Sequence, residues 1–236
     1  MISSVNLQDV KEKLYSKLSG SDWDLKLRSY LLGTEMDTLL EVLLAESQDG
    51  KRFTPPVKYF FRALETCPFE NTRVVIIGQD PYPQVNTADG IAFSCSIKDK
   101  TEVSLKYIMD AIDKTVPPEL IAPKTNDLSR WSDQGVLMLN SAFTTTIGKP
   151  GTHQLLWRPF MVTLLDALIW NKPGLIYVFL GKKAQEYMDL IPDNNYKIAV
   201  NHPASAAYTG QTWNCEDMFN RVNAYLELQN QPKIIW

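Results

Sequence analysis

Val74-Val75-Ile76-Ile77-Gly78-Gln79-Asp80-Pro81-Tyr82-Pro83 is an apolar run that breaks off abruptly into polar and ring residues. Its first four residues are apolar without alternation, the pattern of a strand covered on both faces in a parallel sheet. Gly78 permits a tight exit, while Pro81 and Pro83 stiffen the chain and hold the residues before them extended. Gln79, Asp80 and Tyr82 are thereby presented at the carboxyl end of a strand, where open α/β sheets bind ligands. A rigid loop carrying an amide, a carboxylate and a phenol is built to hold something.

Working outward, three further apolar runs read as buried strands: Val136–Leu139, Leu175–Leu180 and Lys197–Val200. The segments Ser104–Ile112, Trp157–Trp170 and Ala184–Leu190 are placed to be crossover helices, and Glu216–Leu228 a closing helix. Strands alternating with helices predict an α/β fold, a central four-stranded parallel sheet flanked by helices. The residues just past the strands then fall on one edge of the sheet: Gln79-Asp80, Asn140, Gly181-Lys182 and Asn201-His202-Pro203. An acid, an amide, a base and a glycine-lysine pair converge from distant points of the chain. Phe93, in Gly-Ile-Ala-Phe-Ser, reads as core or as a stacking platform for a flat ligand. Lys182 and Lys183 read as solvated, or as a phosphate contact at a helix start. His153 lies in a predicted loop, and no function is assigned to it.

Before the first strand the chain looks helical. Leu7, Val10, Leu14 and Leu18 recur at helical spacing, as do Met36, Leu39, Leu40, Leu43 and Leu44. Pro55 and Pro56 open a third helical stretch, with Tyr59, Phe60 and Ala63 apolar. These stripes read as core-facing. No repeat, low-complexity tract or flexible linker divides the chain, which predicts one domain over 1–236, with 1–54 its helical N-terminal part and 55–236 its catalytic core.

The composition, 44% hydrophobic and 22% charged over 236 residues, is that of an ordinary globular protein. The net charge of −3 argues against an indiscriminate nucleic-acid binder but allows basic residues gathered on one face. No apolar run approaches the ~20 residues of a membrane helix, so no membrane association is expected. The segment Met1-Ile2-Ser3-Ser4-Val5-Asn6 lacks the basic and apolar regions of a secretory signal. Cys67, Cys95 and Cys215 are scattered, with no Cys-x-x-Cys spacing, so neither zinc nor an iron–sulfur cluster is indicated. Three free thiols suit a reducing compartment. A cytoplasmic, non-secreted protein is expected, or one of the host's cytoplasm or nucleus if the source is a virus.

Gly78-Gln79-Asp80-Pro81-Tyr82, followed by Gly90-Ile91-Ala92-Phe93-Ser94, resembles the water-activating motif of family 1 uracil-DNA glycosylases. Trp131 to Asn140 resembles that family's Asn-bearing strand, and His202-Pro203-Ala204-Ser205 its DNA-probing loop. The tail Pro232-Lys233-Ile234-Ile235-Trp236 is similar too. The likeness runs from about Pro55 to the end. It implies removal of uracil from DNA, as a base excision repair enzyme does, with the base flipped out of the helix. Asp80 would orient the attacking water and His202 would stabilise the departing anion. Tyr82 would exclude the thymine methyl, Asn140 would read the uracil edge, Phe93 would stack, and the Gln79 backbone would hold the base. Lys182, Pro203, Ser205 and Ala206 would face DNA. The resemblance implies no metal and no organic cofactor, a monomer, uracil-containing DNA in single or double strands as substrate, and a proteinaceous inhibitor as a further partner.

The chain departs from the family pattern in places. Pro83 stands where most members have His, as in a poxvirus-like subset. Ala206 replaces an inserting leucine, Thr209 a basic residue, and Lys100-Thr101-Glu102-Val103-Ser104 a proline-rich loop. Each change removes grip on DNA and leaves the pocket, which predicts a preference for single strands. Two rival readings follow: a DNA-binding scaffold or polymerase accessory with a vestigial pocket, and a glycosylase for other lesions.

Overall fold

The computed structural model describes residues 6–96 and 99–236. Three helices come first, α1 (Leu7–Lys17), α2 (Trp23–Leu31) and α3 (Thr34–Gln48). Short β1 (Phe53–Thr54) and α4 (Arg62–Thr66) lead to β2 (Val74–Gly78), followed by α5 (Val103–Thr115), α6 (Ser129–Ser132) and β3 (Val136–Asn140). Then come β4 (Thr145–Thr146), α7 (Gln154–Asn171), β5 (Ile176–Leu180), α8 (Lys182–Gln185) and β6 (Tyr196–Val200). The chain closes with α9 (Ala204–Thr209) and α10 (Met218–Leu228).

The main sheet has the order β3-β2-β5-β6, and its three pairings are all parallel. The four expected strands are therefore present, and all of β2, β3 and β5 is buried. The chain leaves β2 toward β3 and leaves β5 toward β6, so the loops after these two neighbours part at the sheet's carboxyl edge. Such a parting opens the crevice in which open α/β sheets hold ligands.

The N-terminal helices share the core with the sheet layer. Trp23 is fully buried and its Nε1 donates to the Cys67 carbonyl at 2.9 Å. Tyr30 packs edge-on against Phe160 of α7, ring centroids 5.2 Å apart. Burying a side chain of this size is worth ~1.5–3 kcal/mol, which outweighs the modest helix propensity of the segment. Leu14, Leu18, Met36, Leu39, Leu40 and Leu43 are buried as their spacing predicts, while Leu7, Val10 and Leu44 are half-buried.

Several expectations about elements are corrected. The segment after Pro56 is a 3₁₀ turn, Val57–Tyr59, followed by the short α4 rather than one helix. Ala184–Leu190 is likewise divided into α8 and a 3₁₀ turn at Met188–Leu190. Helices α2 and α9 were not expected, nor was the two-stranded antiparallel pairing of β1 with β4. Helix α7 begins at Gln154, three residues earlier than its apolar pattern suggests. That shift bears on the site.

Candidate active site

Asp80, Tyr82, Phe93, Asn140 and His202 all line one cavity of about 610 Å³ at the carboxyl edge of the sheet, with Gln79 and Ser205. Strand register explains much of this. Gly78 of β2 is paired with Asn140 of β3, so the Gln79-Asp80 turn begins beside the Asn140 side chain. A Cβ on Gly78 would stand 2.9 Å from the Phe93 ring and 3.0 Å from Asn140 Oδ1. Only glycine lets both side chains reach the cavity there.

Asn140 is 9% exposed, so its amide is withheld from bulk water and offers one donor and one acceptor in a fixed place. Phe93 is buried and sits at φ +63°, a conformation that bulky residues adopt at a cost of ~1–3 kcal/mol. The cost is met locally: the Tyr82 hydroxyl donates to the Phe93 carbonyl at 3.0 Å, and Ala92 N–H donates to the Met138 carbonyl of β3 at 3.1 Å. Burial holds the Tyr82 phenol well above its ordinary pKa, so it stays neutral and presents a ring to the cavity.

His202 arrives from the end of β6. Gly181, at φ +92°, gives it room, since a Cβ there would lie 2.8 Å from the His202 Cβ. Burial lowers the His202 pKa from 6.5 to about 4. Its Nδ1 accepts from the Ala204 N–H at 3.2 Å, so the ring's proton resides on Nε2. His202 is thus a neutral donor near pH 7. Its ring centroid stands 5.5 Å from that of Phe93.

The Asp80 carboxylate accepts from two amides, Gln79 Nε2 on Oδ2 at 3.0 Å and Gln154 Nε2 on Oδ1. The Gln79 carbonyl is taken up by Ala142 N–H, Ser141 Oγ and Gln154 Nε2 at 2.9–3.2 Å. What its main chain can turn toward a ligand is therefore the N–H.

The residues expected to face DNA divide. Ser205 is exposed and lines the cavity, with its hydroxyl donating to the His202 carbonyl at 2.7 Å. Lys182 is exposed on the four-residue α8, and Pro203 is buried; neither is among the described residues lining the cavity. Ala206 is only 5% exposed and faces inward on α9, which packs on α5. Tyr208 instead stands 90% exposed at the cavity rim. Sequence reading missed Tyr208, Gln154 and Ser141. His153 is structural: it is buried, with Nδ1 2.8 Å from Thr144 Oγ1 and Nε2 2.9 Å from Glu46 Oε2.

Among the described residues no three His, Cys, Asp or Glu side chains are grouped as a metal would need, and no helix is long and apolar enough to cross a membrane. A second hollow, of about 890 Å³, opens at the other end of the sheet beside Arg73 and Lys172. Its cations are engaged by main-chain carbonyls of Gln134, Pro232, Phe69 and Glu70, which leaves little to bind a ligand.

The sequence model of the uracil DNA glycosylase superfamily matches residues 64–227. The chain belongs to that superfamily. A uracil-DNA glycosylase of Acinetobacter baylyi is 32% identical over 95% of this chain and 97% of its own. One of Pseudomonas aeruginosa is 34% identical over 93% and 94%. The crystal structure of mimivirus uracil-DNA glycosylase superposes with a TM-score of 0.85 at 27% identity, covering 97% of this chain and 90% of that one. A mimivirus variant solved in complex with UGI superposes equally well, at 28% identity. The likeness spans the whole superfamily core, and the first helices as well.

Proposed function

We propose that the chain is a family 1 uracil-DNA glycosylase that hydrolyses the N-glycosidic bond between uracil and deoxyribose in DNA. The observation that carries this reading is the meeting of Asp80, Asn140 and a neutral His202 on one cavity whose walls are Tyr82 and Phe93.

The base enters the cavity only when flipped out of the strand, as enzymes acting on bases require. Phe93 stacks on its face. Asn140 accepts from N3–H and donates to O4, a pairing that cytosine cannot make. The Tyr82 ring occupies the space beside C5 and excludes a methyl group. As the bond from C1′ to N1 breaks, its electron pair passes to the base, and the charge on O2 meets the His202 Nε2–H. The sugar gains oxocarbenium character, which the Asp80 carboxylate stabilises. Water adds to C1′ as its proton passes to Asp80, giving an abasic sugar; Asp80 then releases that proton to solvent, and the uracil anion takes one up as it departs. No metal or organic cofactor takes part.

DNA is held weakly. Ala206 is turned inward, and the group the rim offers is the Tyr208 ring, which can stack on an unpaired base. Single strands are therefore the preferred substrate. Ser205 and the exposed Lys182 are the phosphate contacts of the same proposal. A monomer, cytoplasmic, with a proteinaceous inhibitor as a further partner, completes it; Cys67, Cys95 and Cys215, all buried and none in a disulfide, support a reducing compartment.

The test is incubation with matched single- and double-stranded oligonucleotides carrying one uracil, in a chelator, followed by alkaline cleavage of abasic sites. Strand scission at the uracil, faster on the single strand, is the expected result. Absence of scission on both substrates refutes the activity, and equal rates refute the strand preference.

A further inference from the structure

Asp80 is held by two glutamines of different standing. Gln79 is its neighbour in the chain and moves with the same turn. Gln154 is 74 residues away, the first residue of α7. Its Nε2 donates to Asp80 Oδ1 and also to the Gln79 carbonyl at 3.0 Å. Its Oε1 is 3.0 Å from Ser141 Oγ, which in turn lies 2.9 Å from the Gln79 carbonyl. Ser141 is fully buried and directly follows β3.

The chemistry fixes which way the Gln154 amide faces. Asp80 Oδ1 and the Gln79 carbonyl are both acceptors, so only the NH₂ group can turn toward them. The amide carbonyl then meets the Ser141 hydroxyl, whose single proton is shared between it and the Gln79 carbonyl. The result is a brace running from β3 through the start of α7 to the turn after β2. Gln154 is not among the described residues lining the cavity. It reaches the reaction through Asp80, and shares the Gln79 carbonyl with Ala142 N–H and Ser141.

We propose that Gln154 is a positioning residue for glycosidic hydrolysis, fixing the Asp80 carboxylate against the sugar from a separate helix. The proposal rests on the role given to Asp80 above. A short aspartate at a loop tip rotates about two side-chain torsions, and Gln79 alone restrains one oxygen. A second donor from another element restrains the other oxygen and leaves the remaining lone pairs for water and sugar.

The test compares Gln154→Ala and Gln154→Glu with the wild type and with Asp80→Asn. Single-turnover excision from a single-stranded uracil oligonucleotide, KM, and inhibition by free uracil are measured for each. Gln154→Ala should slow excision about 10- to 100-fold, the usual cost of a misplaced catalytic group. Gln154→Glu keeps the shape but cannot donate and repels Asp80, so it should be slower still. KM and uracil inhibition should hold, because Ala142 N–H and Ser141 still hold the Gln79 carbonyl and no other pocket residue is touched. Unchanged rates, a glutamate variant faster than the alanine variant, or uracil inhibition lost in step with rate would each overturn the proposal. An inactive wild type or a fully active Asp80→Asn marks failure of the underlying reading instead, and Gln154 loses its role with it.

Discussion

Acidification should unfold this protein partly through one ring. His202 has an ordinary pKa of 6.5, which burial lowers to about 4. At ~1.4 kcal/mol per tenfold change in proton affinity, that gap is worth at most about 3 kcal/mol. The sign follows from which state takes the proton first. As pH falls below 6.5 the unfolded chain protonates this histidine while the folded one keeps it neutral. The unfolded state then binds more protons, and stability declines until the folded ring also titrates near pH 4. Carboxylates add their own slope, so the ring is isolated by comparison with His202→Gln. Urea unfolding of both proteins from pH 7.5 to 4.5 should show the wild type losing ~2–3 kcal/mol more than the variant. The wild-type excision rate should show no histidine limb near pH 6.5, because the donor is already neutral above that value and below it down to about pH 5. Parallel stability curves for the two proteins would refute the half-buried, neutral ring. So would an excision rate that halves near pH 6.5.

Tyr82→Ala should open space beside the base and admit thymine, and Asn140→Asp should shift excision toward cytosine. Product analysis on oligonucleotides carrying each base checks both, and a failure of both variants to broaden specificity counts against the pocket. Tyr208→Ala should weaken action on DNA without touching chemistry: KM on single strands should rise about 10-fold, the cost of losing one stacked base at ~1–3 kcal/mol, while inhibition by free uracil stays unchanged.

The strand ends were legible from sequence, and the helix ends were not, for a physical reason. A parallel sheet delivers every carboxyl end to the same edge, so locating four apolar runs suffices to bring Asp80, Asn140 and His202 together. Register then does the fine placement, pairing Gly78 with Asn140. No comparable rule places a residue at the start of a helix. Gly-Thr-His-Gln reads as loop, and whether Gln154 can reach Asp80 depends on α7 beginning at that residue rather than at Trp157. Helix α2 escaped notice because Asp24, Lys26, Arg28 and Ser29 interrupt its apolar positions, and tertiary burial of Trp23, Leu27, Tyr30 and Leu31 decides it. The DNA-facing loop shows the same limit most sharply. In an irregular loop either Ala206 or Tyr208 could face outward. In α9 each residue turns about 100°, so two residues lie ~200° apart and on opposite faces. Burial of Ala206 against the core therefore forces Tyr208 into solvent at the cavity rim. A departure that looked like a lost DNA contact at one position is, once the helix is known, an aromatic presented two positions later.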